Sequence, residues 1–153
     1  MENKNLIVPR VGVVIIENDA LLLTYSKYGD QEFWLLPGGG IEFEETIPEC
    51  GRREVLEETG LNIVITKFLY LREFIPKNKK DHVIDIFFLG EKIGGELKKG
   101  NDPDNKEQVI KKVEFVPLSK LRDIKIYPEC LPELILNGIN DNFKDCPKYI
   151  GRC

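Results

Sequence analysis

The stretch from Trp34 to Leu61 constrains this chain most: Trp-Leu-Leu-Pro-Gly-Gly-Gly-Ile-Glu-Phe-Glu-Glu-Thr-Ile-Pro-Glu-Cys-Gly-Arg-Arg-Glu-Val-Leu-Glu-Glu-Thr-Gly-Leu. A short apolar strand breaks at Pro37, glycines fill 38–40, and a helix follows that carries its own start and stop signals. Thr46, with Glu49 three residues on, makes a capping box, and Gly60 stands where a helix end favours a left-handed residue. On that helix Glu57 and Glu58 lie three and four positions after Glu54, so all three carboxylates project from one face. Like charges so placed repel by about 0.2–0.5 kcal/mol per exposed pair. A bound divalent cation is the simplest reason to stack them, and carboxylate oxygens suit Mg²⁺ or Mn²⁺ rather than zinc. Arg53, four residues from both Glu49 and Glu57, is expected to bridge the two.

These residues resemble the Nudix box, Gly-x5-Glu-x7-Arg-Glu-(aliphatic)-x-Glu-Glu-x-Gly-(aliphatic). Gly39, Glu45, Arg53, Glu54, Val55, Glu57, Glu58, Gly60 and Leu61 fill every fixed position. Many members carry Gly where Glu44 stands, a departure that touches only the local turn. The resemblance implies an α/β/α sandwich with a mixed sheet, an α+β Nudix fold. It also implies hydrolysis of a nucleoside diphosphate linked to another group X, which yields a nucleoside monophosphate and phosphorylated X. Carried over by position, it makes Glu57 and Glu58 the principal ligands of Mg²⁺ or Mn²⁺. Glu54 is then a third ligand or the acceptor of the water's proton, and the Gly38 carbonyl a backbone ligand. Arg53 and Glu45 would orient the carboxylates, while Gly39 and Gly60 serve backbone shape. A further carboxylate is expected from the loop before the last strand, where Glu107 lies closest to that strand. Glu107 is read as an additional ligand or the general base, against a plain solvated residue, with Asp102 and Asp104 as turn formers. In some members that cleave ADP-ribose a proline follows the box by some fifteen residues, and Pro76 falls there. ADP-ribose-like substrates are therefore expected first and nucleoside triphosphates next. The rival of another class is a non-catalytic nucleotide-binding regulatory module on the same fold, but the intact acidic ladder favours the enzyme.

At 153 residues the chain suits one domain, 1–153, with a sizeable core. A formal net charge of −4 argues against bulk nucleic-acid binding but not against a small nucleotide substrate whose charge a metal offsets. No apolar run approaches a membrane span, and residues 1–10 lack a signal-peptide core, so a cytoplasmic protein is expected; a homodimer stays open. The four cysteines (Cys50, Cys130, Cys146, Cys153) show no paired short spacing, so reduced thiols are expected.

Val11–Ile16 reads as a strand buried on both faces, Asn18-Asp19 as a turn, and Ala20–Tyr25 as its partner. Ser26–Glu32 is expected to be a polar loop before the strand Phe33–Leu36. After the box come strands at Asn62–Phe74, Val83–Leu89 and Val109–Val116, with loops at 76–80 and 98–106. A helical turn is expected at Pro117–Leu121 and a last helix over Leu131–Leu136, ended by Asn137-Gly138. The tail 139–153 has no assignment. Gly51 reads as close packing of helix on sheet, and Trp34 as strand packing in preference to a base platform. His82 reads as a surface or hairpin residue in preference to a catalyst, and Lys77, Lys79 and Lys80 as a solvated loop.

Overall fold

The β-branched run after Pro9 forms the centre of the molecule. In the computed structural model, which describes residues 5–77, 80–100 and 108–153, it belongs to β1 (Leu6–Glu17). The tight turn at Asn18 and Asp19, both at positive φ (50° and 57°), returns the chain as β2 (Ala20–Tyr28). Asn and Asp tolerate that conformation better than other side-chain-bearing residues.

β1 pairs in parallel with β6 (Asp81–Gly95), which pairs antiparallel with β5 (Leu61–Phe74). β2 lies between β3 (Gln31–Leu35) and β7 (Gln108–Pro117), and the short β8 (Ile126–Tyr127) adds beyond β3. β4 (Gly38–Gly40) pairs antiparallel with β1, and β9 (Lys148–Gly151) lies parallel to β5. The sheet is thus mixed, with two wings that meet at the β1–β2 hairpin.

Strand alternation divides the core. Val11, Val13 and Ile15 pack with Cys50 and Val55 of α1 (Ile47–Thr59). Val14, between them, belongs to a second cluster with Leu69, Phe87, Leu131 and Ile135, the last two from α2 (Leu131–Asn140). Each fully buried aliphatic side chain contributes roughly 1.5–3 kcal/mol, so a polar residue at any of these positions would unseat a helix. The fold is the expected α/β/α sandwich.

Three expectations need correction. Ser26–Glu32 is not a loop: β2 runs to Tyr28, turns at Gly29-Asp30, and returns as β3 from Gln31. Its polar residues sit in ladders to β3 and β7, with Ser26 fully buried. α2 does not stop at Asn137-Gly138 but runs to Asn140, because the Phe143 ring packs where a Gly138 side chain would stand. The tail supplies β9 and, in Phe143, a core residue. The reduced-thiol expectation holds for Cys50 and Cys146 but fails for Cys130 and Cys153, which form a disulfide. β9 runs along β5 and brings Cys153 back beside the start of α2, a proximity that sequence spacing does not announce.

Candidate active site

The glycines at 38–40 form strand β4 rather than a loop, and their register with β1 fixes them against the face that α1 covers. A β-carbon on Gly38 would lie 2.0 Å from the Val11 carbonyl oxygen, so only glycine permits this approach. A β-carbon on Gly39 would lie 2.3 Å from Glu54 Oε1 and 2.5 Å from its Cδ. The bare backbone is what lets the Glu54 carboxylate rest there. Gly38 N–H donates to Glu58 Oε1 at 2.9 Å.

α1 begins with the expected capping box. Glu49 N–H donates to Thr46 Oγ1 at 3.4 Å and Thr46 N–H to Glu49 Oε2 at 2.8 Å. The helix ends with Gly60 left-handed at φ 76°. Gly51 sits against Val13, Ile65 and Val11, as close packing requires. Glu44 has φ 65°, which explains why glycine is favoured at that turn in proteins of this pattern.

Arg53 organises the acids, but not as expected. Its Nε and Nη2 donate to the two oxygens of Glu45 at 2.6 and 3.1 Å, and Nη2 also reaches the Gly40 carbonyl at 3.1 Å. Nη1 donates to Glu54 Oε1 at 2.9 Å and Glu57 Oε2 at 3.3 Å, and lies 3.7 Å from Glu42. Glu49 is not among these partners; both Thr46 groups hold it in the cap. The Arg53 guanidinium pulls the Glu45 carboxyl below the usual carboxylate range, and Glu45 in turn pushes the Arg53 pKa up. Burial pushes the neighbouring Cys50 thiol up to about 12, so it is no thiolate nucleophile at neutral pH.

The donor chemistry fits a hard cation. One guanidinium faces four carboxylates, and Glu54 and Glu58 are only 2% and 3% exposed. Buried negative charge in such excess calls for further positive charge. Among the described residues no three His, Cys, Asp or Glu side chains already converge as a metal cage. Arg53 stands between Glu54 and Glu57 instead. Glu107, with Asp102 and Asp104, lies outside the described residues, as does Lys79.

Gly38 and Glu58 also border a cavity of about 620 Å³. Such a volume accommodates a nucleotide-sized ligand. Phe33, Phe74 and Tyr127 contribute aromatic wall, and Arg10, Arg72 and Asp85 contribute charge. The sequence reading missed these six. The available signal was a charge at an inward position of an otherwise apolar strand, Asp85 within Val83–Leu89 and Arg72 after Leu69–Leu71. Trp34 is not part of the lining; it packs on Tyr25 at 4.9 Å between ring centres. His82 bonds Glu73 at 2.9 Å, and Lys77 and Lys80 are exposed away from the cavity.

Residues 6–134 match the family profile described as NUDIX domain. The chain belongs to the NUDIX family. An ADP-ribose pyrophosphatase of Methanocaldococcus jannaschii is 34% identical over 110 residues, which are 72% of this chain and 61% of that protein. An RNA pyrophosphohydrolase of Histophilus somni is 35% identical over 89 residues, 55% of this chain and 46% of that one. The chain thus spans about six-tenths or less of these relatives' lengths. Among solved structures, a NUDIX hydrolase from Nitrosomonas europaea superposes with a TM-score of 0.74 at 19% identity, covering 90% of each chain. The MutT protein from Methanosarcina mazei gives a TM-score of 0.69 at 24% identity, covering 93% of this chain and 98% of that one. No helix among the described residues is long and apolar enough to cross a membrane.

Proposed function

We propose that this chain is a metal-dependent pyrophosphohydrolase that cleaves a nucleoside diphosphate linked to a group X, with ADP-ribose-like compounds favoured. The observation that carries the reading is the junction of two features at Gly38 and Glu58: the carboxylate cluster of α1 and the open cavity. A diphosphate lying at that junction would have its flanking moiety in the cavity. Glu57, Glu58 and Glu54, with the Gly38 carbonyl, would hold Mg²⁺ or Mn²⁺. That cation supplies charge neutralisation and polarisation of the diphosphate and of water.

The remaining work falls to the chain. Arg53 and Glu45 keep the carboxylates from splaying apart, the orienting role that partners of metal ligands commonly have. Glu54, or Glu107 of the loop before β7, takes the proton as water attacks one phosphorus. The P–O–P bond breaks, and the products are a nucleoside monophosphate and phosphorylated X. The relatives that carry pyrophosphatase names support this class of reaction. A substrate panel with Mg²⁺ and Mn²⁺ tests it. ADP-ribose should release AMP faster than nucleoside triphosphates release their monophosphates. Cleavage of a non-nucleotide diphosphate alone would refute the substrate reading.

A further inference from the structure

Phe43 is the most exposed large apolar side chain among the described residues, at 96%. An exposed phenylalanine standing alone is ordinary. This one has a counterpart. The outer flank of α1 and the ends of β5 and β6 border a second hollow, of about 530 Å³, lined by Arg52, Arg53, Leu56, Asn62, Ile63 and Ile93. Leu56 and Ile93 are themselves exposed. The hollow offers aliphatic wall of the kind an aromatic ring covers, with guanidinium groups beside it. Phe43 does not fill it within its own chain, since its ring stands almost wholly in solvent.

The ring and the hollow belong to one surface. Arg53 borders the hollow, and its Nη1 lies 3.7 Å from Glu42, the residue before Phe43. Along the same flank α1 exposes Glu49, Arg52 and Leu56, whose spacings of three and four make one ridge. That ridge is complementary to itself run in the opposite direction. A two-fold axis that sets Glu49 opposite Arg52 of a second copy also sets the 42–45 segment opposite Leu56 of that copy, and so carries Phe43 to its hollow. Every such contact forms twice. Charge agrees with the pairing, because Phe43 stands between Glu42 and Glu44 whereas Arg52 lines the hollow. Glu54 and Glu58 are buried away from the ridge, so ridge-to-ridge packing leaves the carboxylate cluster uncovered.

We propose that this flank of α1 is an interface between two copies of the chain, paired antiparallel, each lodging Phe43 in the other's hollow. Phe43, Leu56 and Ile93 of each copy form its apolar centre, and the acids beside Phe43 face Arg52 of the second copy. So few apolar side chains make a small interface, so the dimer is reversible and its population depends on concentration. The inference stands apart from the hydrolase reading, since none of these residues is assigned to metal or substrate.

Sedimentation velocity of the full chain across a concentration series is the test, and it should show a monomer–dimer equilibrium. Phe43→Ser should raise the dimer Kd by about a hundredfold or more, because ring burial is lost at two contacts. Phe43→Leu keeps an apolar knob and should stay within about tenfold of the unsubstituted chain. Arg52→Glu sets acid against acid and should weaken the dimer by about tenfold or more, most at low salt. Circular dichroism checks that each variant is folded. A mixing experiment locates the contact. Copies carrying Phe43→Cys, mixed with copies carrying Ile93→Cys, should crosslink under mild oxidation, with peptide mapping joining positions 43 and 93. Either variant alone should give no crosslink at the introduced thiol. A monomer at every concentration, a dimer equally tight in Phe43→Ser, or a dimer without the mixed crosslink would overturn the proposal.

Discussion

Substituting Gly39 by alanine tests how the glycine strand shapes the acidic site. The new methyl would lie 2.3–2.8 Å from all three atoms of the Glu54 carboxyl group. That carboxylate sits at 2% exposure and takes a 2.9 Å bond from Arg53, so it must swing away and lose the bond. A charge-assisted hydrogen bond of this kind is worth about 1.5–3 kcal/mol, and Gly→Ala returns about 0.4–1 kcal/mol by restricting the unfolded chain. The expected net loss is about 1–2 kcal/mol, or a fall in Tm of about 2–8 °C for a chain of this size. Gly40→Ala is the control, because its β-carbon would meet nothing within 4 Å and should leave Tm unchanged or slightly raised. Thermal melts in EDTA, with Mn²⁺ titration of both proteins, read the two effects. Gly39→Ala should also bind Mn²⁺ more weakly, as Glu54 is displaced. A Gly39→Ala protein that melted and bound Mn²⁺ like Gly40→Ala would refute the argument.

Three other outcomes are expected. Glu44→Gly relieves a left-handed residue at φ 65° and should raise Tm by about 2–4 °C per kcal/mol gained, with turnover unchanged; a lower Tm would show that Glu44 does something the backbone does not reveal. The Glu45 pKa is depressed by Arg53, so its stabilisation is full above the unfolded carboxylate range and lost as pH falls through the lower folded value. Wild-type Tm should therefore drop through that acid window, with a shallower slope in Glu45→Gln; parallel slopes would contradict the pairing. Glu58→Gln and Glu107→Gln should each cut kcat strongly, Glu107→Gln with Tm nearly unchanged. If Glu107→Gln kept kcat within about twofold, less than 0.5 kcal/mol of barrier, and Asp104→Asn did not, the role would pass to Asp104.

Legibility in the sequence followed the range of the interactions. The cap, the left-handed stop at Gly60 and the acid ladder of α1 are written within a few residues of one another, and all three stand in the structure. The β1 core and the Asn18-Asp19 turn are equally local. Polar ladder residues such as Ser26 and Lys27 were mistaken for loop because their partners lie in β3 and β7. Gly138 looked like a helix stop because Phe143, which needs the space, reaches it only after the chain turns back. The choice of Glu45 over Glu49 as the Arg53 partner depended on how the segment before α1 folds over the helix. The charged lining residues of the cavity were hidden for the same reason. Arg10, Arg72 and Asp85 are far apart in sequence and become neighbours only through the parallel β1–β6 and antiparallel β5–β6 registers.

The central claim is that the carboxylates of α1 hold a divalent cation that hydrolysis requires. AMP release from ADP-ribose, measured in Mg²⁺, in EDTA, and after Mg²⁺ is added back in excess of EDTA, tests it most directly. The expected result is turnover in the first, none in the second and recovery in the third. Equal AMP release in EDTA and in Mg²⁺ would contradict it.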